Sequence, residues 1–318
     1  MSTQMSTQVT VATAASLQAP DKERGHRRRV IAGYILFITL IVALTVHGFD
    51  YYSLGAADRP FSPKHHALRP SGRIGVNLGI LGLAMFLVIF VYPLRKRWAW
   101  LRLQGNSKHW LDYHVILGIF APFVIAFHSS FKFAGFAGMA FWIMVAVSVS
   151  GVIGRYLYAQ IPRSLNAAEL TRSDSQALQL KLAAKLAEQR LLPVDDLRSF
   201  LRLPSPERVQ KWSAPFAIVY MMSLDLTRPF RIARLRRNAI SFPEQVSTLG
   251  GFLSTRNRAL EKAIANAREE VSLSKRILFL SRSKQIFELW HVVHKPFSYS
   301  FAVLAIIHIV VVTMMGFF

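Results

Sequence analysis

Two pairs of histidines stand out in this sequence because both pairs have the same spacing. His114 and His128 are 14 residues apart, and His294 and His308 are also 14 residues apart. On an α-helix this separation is a rise of about 21 Å, and it leaves the two side chains within roughly 40° of the same face. Neutral imidazole is the commonest metal ligand among protein side chains. The spacing therefore predicts one ligand near each end of two long helices.

Both pairs lie in apolar stretches that are long enough for membrane-spanning helices. Hydrophobic residues make up 52% of the 318 residues, which is more than a typical soluble domain contains. A helix needs about 20 apolar residues to cross a bilayer. The stretches that approach this length are Val30–Val46, Ile74–Tyr92, Trp110–Phe131, Phe136–Tyr158 and Phe287–Phe318. We therefore expect an all-α, polytopic membrane helix bundle with about five transmembrane helices.

The apolar stretches divide the chain into four regions. The regions are a polar N-terminal tail at 1–29, the first four transmembrane helices at 30–158, a basic and mostly helical insertion at 159–286, and the fifth transmembrane helix at 287–318. Within the insertion, leucine and alanine at helical spacing predict helices over Ser173–Arg190 and Ser254–Arg276.

The distribution of basic residues predicts the orientation of the chain. The formal net charge is +22, and Lys and Arg cluster beside apolar stretches at 22–29 and 95–108. Such clusters remain on the cytoplasmic side, where they meet anionic lipid headgroups. We therefore interpret the charge as topological and expect no nucleic-acid partner. The N-terminus and the insertion are then cytoplasmic, and the third and fifth helices run parallel in a bacterial-type inner (plasma) membrane.

One further apolar segment bears on this orientation. Trp212–Leu224 is apolar over 13 residues before Asp225. A run of this length is more typical of an interfacial or buried helix than of a membrane span. We interpret it in that way. If it crossed the membrane, the fifth helix would reverse its direction, and the pairing of the histidines would reverse as well.

The histidine pairs predict two haems. The sequence contains no cysteine, which excludes thiolate-bound zinc, iron–sulfur clusters and the covalent attachment of c-type haem. Two parallel helices with this spacing bring His114 opposite His294 as an inner pair and His128 opposite His308 as an outer pair. Each pair can bind one haem iron from both sides, so we predict two b-type haems. The alternative is four ordinary interhelical hydrogen bonds, but the repeated spacing favours ligation.

Two further residues are reserve candidates for the same site. His291 lies three residues before His294, but its separation of 17 residues from His308 leaves it roughly 100° away from that ligand around the helix. Arg155, near the end of the fourth helix, is a candidate partner for a haem propionate. Its alternative role is to extend towards lipid headgroups.

The motif H-x13-H on two helices resembles the di-haem membrane cytochromes b. It is similar to the ferric-reductase-like transmembrane domain and to the four-helix core of respiratory cytochrome b. The segments HSSFKFAG, from His128, and GRYLYAQIPR, from Gly154, resemble parts of bacterial cytochrome b-like proteins. The resemblance implies that His114, His128, His294 and His308 ligate two haems, and it covers less than half of the chain.

This sequence also departs from the resemblance in one respect. Ferric reductases continue into flavin and nicotinamide domains, whereas this sequence contains neither a G-x-G-x-x-G nor a Walker motif. We therefore expect an electron-transfer subunit that relays electrons between a cytoplasmic or quinone donor or acceptor and a periplasmic redox partner protein. The alternatives are a transporter or channel whose buried histidines handle protons or metal ions, and a membrane anchor without catalysis.

Overall fold

The computed structural model describes residues 2–95, 97–161 and 203–316, with side chains from residue 23 onward. This part of the chain is helical and has no β-strand, as the sequence predicted. The helix expected at Ser173–Arg190 lies outside the described residues. The chain forms two compact units, residues 1–153 with 293–318 and residues 154–292.

The helices of the first unit come from both ends of the sequence. They are α1 (Ser2–Tyr52), α2 (His65–Leu68), α3 (Arg73–Arg95), α4 (Ala99–Arg102), α5 (Ser107–His128), most of α6 (Gly135–Gln160) and the C-terminal part of α11 (Leu280–Met314). The second unit contains α7 (Pro206–Lys211), α8 (Ala214–Ala239), α9 (Phe242–Ser247), α10 (Arg258–Leu278) and the remaining parts of α6 and α11.

Five of the described helices are long and apolar enough to cross a membrane. The candidate spans are Glu23–Tyr52, His65–Arg95, Ser107–His128, Gly135–Gln160 and Leu280–Met314. They contain the five stretches that the sequence predicted, except that the third and the fifth stretch extend a few residues beyond their spans. The segment Trp212–Leu224 enters the first half of α8, which is not among the candidate spans in the described part of the chain.

The backbone of α1 is helical from Ser2 onward, and the first candidate span begins within it at Glu23. One helix end differs from the prediction. The third predicted stretch extended to Phe131, whereas α5 ends at His128. Ser130 and Phe131 have φ values of 49° and 59°, which lie in the left-handed region and end the helix.

The surfaces of α1 and α11 are apolar and exposed. In the most apolar 18 residues of the first span, no residue is buried inside the protein. In the corresponding 18 residues of the last span, only 6% are buried. Large side chains such as Leu36 (67% exposed) and Ile306 (61% exposed) project outward. An apolar surface of this extent is stable in lipid and not in water. These helices therefore belong to a multi-pass membrane protein.

Helix α5 lies at the centre of the first unit. It packs along α3 and against α1, and its Phe120 ring stacks on Phe37 of α1 with centroids 5.0 Å apart. The Ser148 hydroxyl of α6 donates a hydrogen bond to the Gly118 carbonyl of α5 at 2.7 Å. Helix α5 therefore has α1, α3 and α6 as neighbours.

A buried arginine fixes the turn after α5. The Arg59 side chain is 9% exposed and donates to the carbonyls of Leu54 (3.1 Å), Tyr52 (3.0 Å) and Ser130. The hydroxyl of Ser130, itself fully buried, donates to the Leu68 carbonyl at 2.7 Å. Since buried backbone carbonyls need hydrogen-bond donors, this network fixes the α1–α3 connection to the turn that follows His128.

In the second unit, α8 packs against α10. Helix α10 is strongly amphipathic, and the Asn257 side chain caps its N-terminus by accepting from the amides of Ala259 and Leu260, both at 3.1 Å. This confirms the helix predicted at Ser254–Arg276, although it begins four residues later. The apolar core of the pair consists of Ile232, Leu235, Leu260, Ala263, Ile264, Ala267 and Val271.

A buried ionic cluster lies at one end of this helix pair. Lys275 of α10 is 2% exposed, and its ammonium donates to Asp225 of α8. The same carboxylate accepts from the Tyr156 hydroxyl at 2.7 Å and from Arg228 at 2.5 Å. Burial raises the pKa of Asp225, but the hydrogen bonds from Lys275 and Tyr156 outweigh burial and hold this pKa below its ordinary value of 3.8.

Acidification is expected to destabilise the second unit. A carboxyl group whose pKa is lowered by folding stabilises the folded state fully above its unfolded pKa, and this contribution is lost as the pH falls through the folded pKa. For Asp225, the contribution is present at neutral pH and is lost below about pH 3.8. Thermal unfolding measured between pH 7 and pH 3 should show the fall, and Asp225→Asn should reduce it. An equal pH dependence in this variant would contradict the assignment.

Candidate functional site

His128 is the last residue of α5, and its ring lies against α3. Its Nδ1 atom is 2.8 Å from the carbonyl oxygen of Gly75. A Cβ atom at Gly79, one turn further along α3, would lie 2.8 Å from Cε1 and 2.9 Å from Nδ1 of the imidazole. The His128 ring therefore occupies space that exists only because residue 79 has no side chain.

His114 contacts the same helix at the opposite end of α5. Its Nδ1 atom is 3.1 Å from the carbonyl oxygen of Ile89, and its ring lies 5.2 Å from the Tyr92 ring. Ile89 is 14 residues after Gly75 in the sequence. Because α3 and α5 are antiparallel neighbours, the equal spacing of the two carbonyls and the two histidines places both rings along the same side of α3.

His294 in α11 contacts α6 instead. Its Nδ1 atom is 2.7 Å from the Ser150 hydroxyl oxygen, and a Cβ atom at Gly151 would be 3.6 Å from its Cε1 atom. The Ser150 hydroxyl also donates to the Val147 carbonyl at 2.8 Å. With its proton engaged there, Ser150 accepts a hydrogen bond from Nδ1 of His294.

His308 lies closer to the C-terminal end of α11. It is half-buried and lies near His128. Between the two histidines of α11, Phe301 packs on Phe86 of α3 with ring centroids 4.6 Å apart. The C-terminal half of α11 therefore lies beside α3, and His308 is near His128.

The four helices that carry or contact the histidines form a ring. Helix α3 contacts α5 through His114 and His128, and it contacts α11 through Phe301. Helix α6 contacts α5 through Ser148, and it contacts α11 through Ser150. Each of α3 and α6 thus bridges α5 and α11, the two helices that carry the histidine pairs.

The contacts of α6 also place His114 and His294 at similar depths. Ser148 contacts Gly118, which lies four residues, or about 6 Å, from His114 along α5. Ser150 contacts His294 and is two residues, or about 3 Å, beyond Ser148 in the same direction, since α6 runs antiparallel to α5. The two histidines therefore differ in depth by about 3 Å.

The hydrogen bonds determine the tautomer of three histidines. The Gly75 and Ile89 carbonyl oxygens only accept, and so does Ser150 towards His294. The Nδ1 atoms of His114, His128 and His294 therefore carry the proton, and Nε2 carries the lone pair. This is the arrangement of metal-ligating histidines, in which the second ring nitrogen donates to a carbonyl or another acceptor.

The reserve candidates occupy different surroundings. The Nδ1 atom of His291 is 3.0 Å from the Phe287 carbonyl of its own helix turn, and its ring contacts those of Phe287 and Trp290. Arg155 is half-buried in α6. Both residues belong to the second unit, whereas the four paired histidines belong to the first.

The sequence did not indicate the residues that hold the imidazoles. Neither Gly79 nor Ser150 was identified as a contact of a histidine. A serine in the apolar run VSVSG of α6 is a signal that was available, because a hydroxyl inside a membrane needs a partner. The carbonyl partners could not be identified from residue types.

Gly79→Ala is expected to displace the imidazole of His128. The new methyl group would overlap the ring, so the hydrogen bond to the Gly75 carbonyl is lost at a cost of about 1–3 kcal/mol. Thermal unfolding in detergent measures this loss. Gly118→Ala is the matched control, because a Cβ atom there meets nothing within 4 Å. Equal unfolding temperatures for the two variants would show that His128 does not need the space at residue 79.

The fold and this site define the class of the protein. The chain is a polytopic α-helical membrane protein with histidines inside its helix bundle. Comparisons with protein families, with curated proteins and with solved structures found no match. The resemblance to cytochromes b therefore depends on the sequence motifs quoted above.

Proposed function

We propose that this protein is a di-haem b-type membrane cytochrome that relays electrons across the bilayer. The observation that carries the proposal is the common hydrogen bonding of His114, His128 and His294, each of which donates from Nδ1. Ionisable side chains within membrane helices are costly and are usually functional. Three such residues with the proton on Nδ1 favour ligation of iron through Nε2.

The depths of the histidines support two bis-histidine sites. The contacts of α6 place His114 and His294 about 3 Å apart in depth, which favours these two as one pair. The proximity of His128 and His308 favours them as the other pair. The proposal therefore keeps the pairing that the sequence predicted.

The residues around the histidines suit a flat prosthetic group. Haem iron needs only two axial protein ligands, whereas a structural zinc ion takes four protein ligands. Within the described residues, no group of three or more His, Cys, Asp or Glu side chains could hold a metal ion. Paired histidines are thus better suited to haem than to a bare metal ion.

When bound, the two haems would supply one-electron redox chemistry. The chain itself orients the ligands: the carbonyls of Gly75 and Ile89 and the hydroxyl of Ser150 fix the imidazole rings and increase the basicity of Nε2. The apolar residues of α1, α3, α5 and α6 would exclude water from the space between the inner and the outer histidine pair.

The partners and the orientation are part of the same proposal. The positive-inside rule favours a bacterial-type inner membrane with a cytoplasmic N-terminus. An electron donor and an acceptor are then needed on the two sides, and we propose a quinone or a cytoplasmic reductant and a periplasmic redox protein. Anionic lipid headgroups would meet the basic segments on the cytoplasmic side.

Haem content per polypeptide tests the proposal. The purified protein is expected to be red, to contain about two non-covalent haems per chain by pyridine haemochrome analysis, and to show bis-histidine Soret and α bands during a reductive titration. A colourless protein that contains no haem after expression with added haem precursor would refute it. Proton or metal-ion flux in liposomes would then support the transporter alternative.

A further inference from the structure

A groove between α8 and α10 combines a basic rim with an apolar floor. Its volume is about 480 Å³, which falls within the usual range for ligand-binding pockets. The lining residues are Arg228, Ile232, Arg236, Glu261, Ile264, Ala265, Arg268, Glu269, Ser272 and Arg276. Four arginines against two glutamates give the lining a formal charge of +2. The groove lies within the second unit and shares no residue with the histidine site.

Two of the four arginines are already neutralised. Arg236 donates to both oxygens of Glu261 at 2.9 and 2.7 Å. Glu261 also accepts from the amide and the hydroxyl of Thr255, at 2.9 and 3.2 Å. Arg228 is paired with Asp225 at 2.5 Å. These bonds fix the ends of the groove. Both carboxylate oxygens of Glu261 accept hydrogen bonds within the protein.

The other two arginines supply the positive charge that these ion pairs leave in the groove. Arg268 and Arg276 are eight residues apart on α10, a rise of about 12 Å, and both line the groove with exposed side chains. Of the two glutamates in the lining, Glu261 is bound to Arg236, and Glu269 is the other. Guanidinium groups favour phosphate because their N–H groups form charge-assisted, bidentate hydrogen bonds with its oxygens.

The floor of the groove narrows the class of ligand. Ile232 and Ile264 are buried there and present apolar surface below the arginines. The lining contains no aromatic ring on which a nucleobase would stack. We propose that the groove binds a phosphate group attached to a small or aliphatic body, either the headgroup of an anionic phospholipid or a soluble phosphate compound.

Binding of inorganic pyrophosphate to the full-length protein in neutral detergent tests this site. Isothermal titration should detect pyrophosphate binding to the wild type. The double variant Arg268→Gln/Arg276→Gln should weaken it about tenfold or more, because each charge-assisted hydrogen bond contributes substantially to affinity. The matched control is Arg234→Gln/Arg237→Gln, which removes the same charge from exposed positions of α8 outside the groove. Circular dichroism verifies that both variants fold.

A second arm distinguishes the two sources of phosphate. The wild type is reconstituted in nanodiscs of phosphatidylcholine alone or with phosphatidylglycerol, and pyrophosphate binding is measured in both. Weaker binding with phosphatidylglycerol identifies a lipid headgroup as the occupant, and unchanged binding identifies a soluble phosphate. The proposal is overturned if the wild type does not bind pyrophosphate, or if both double variants lose binding equally. Neither result depends on haem.

Discussion

Replacement of His308 by alanine is expected to leave the purified protein with one haem per chain instead of two. His308 lies near His128, and we propose that these residues bind the same iron. Loss of one axial imidazole removes half of the protein ligation of that haem. The other pair, His114 and His294, keeps its hydrogen bonds to Ile89 and Ser150. Pyridine haemochrome analysis of the purified variant measures the ratio.

Two control variants make this result specific. His66 is exposed in α2, so His66→Ala should retain both haems. His291→Ala should also retain both, because the imidazole of His291 packs against the rings of Phe287 and Trp290. If His291→Ala lost one haem and His308→Ala lost none, the reserve candidate would be the ligand. Equal haem content in all three variants would refute the outer pair.

Asp225→Ala is expected to destabilise the second unit more than any other single change there. Lys275 is 2% exposed, and within the described residues Asp225 is the one acid that it contacts. Removal of the carboxylate leaves a buried ammonium without a counter-charge, and a change of this kind costs about 3–5 kcal/mol. Thermal unfolding of the full-length protein, together with limited proteolysis between residues 205 and 285, should detect the loss.

Substitution of the other partner, Lys275, separates the effect of the buried charge from a simple loss of contacts. Lys275→Met removes the buried charge but keeps an unbranched chain of similar length. Asp225 then still accepts from Tyr156 and Arg228, so the cost should be clearly smaller than for Asp225→Ala. If Lys275→Met were as destabilising as Asp225→Ala, the buried charge would not be the dominant factor.

The sequence predicted the membrane helices because hydrophobic length determines them. The run from Ile74 to Tyr92, for example, lies within α3, and about 20 apolar residues have few alternatives to a membrane span. The helix ends were harder to predict. Helix α5 stops at His128 because the next turn is fixed by Arg59, whose bond to Ser130 joins residues 71 positions apart. Such a contact has no local signal.

The sequence singled out the histidines of the candidate site but not the groups that contact them. Equal spacing indicated His128 and His308 as candidate ligands from the sequence alone. The Gly75 carbonyl, which accepts from His128, belongs to the backbone and leaves no mark in the sequence. Likewise, the sequence marked Asp225 only as the residue that follows an apolar run, and it did not predict a buried ion pair there. Its partner Lys275 lies 50 residues later, and only folding brings them together.

The partners of the three imidazoles differ in how readily natural variation can change them. His114 and His128 bind main-chain oxygens, which every residue type possesses, so no point mutation at residues 75 or 89 deletes them. His294 binds the side chain of Ser150, and a single codon change can replace it with alanine or threonine. Mutation can therefore remove the hydrogen-bond partner of His294, whereas the partners of His114 and His128 persist as long as α3 stays helical.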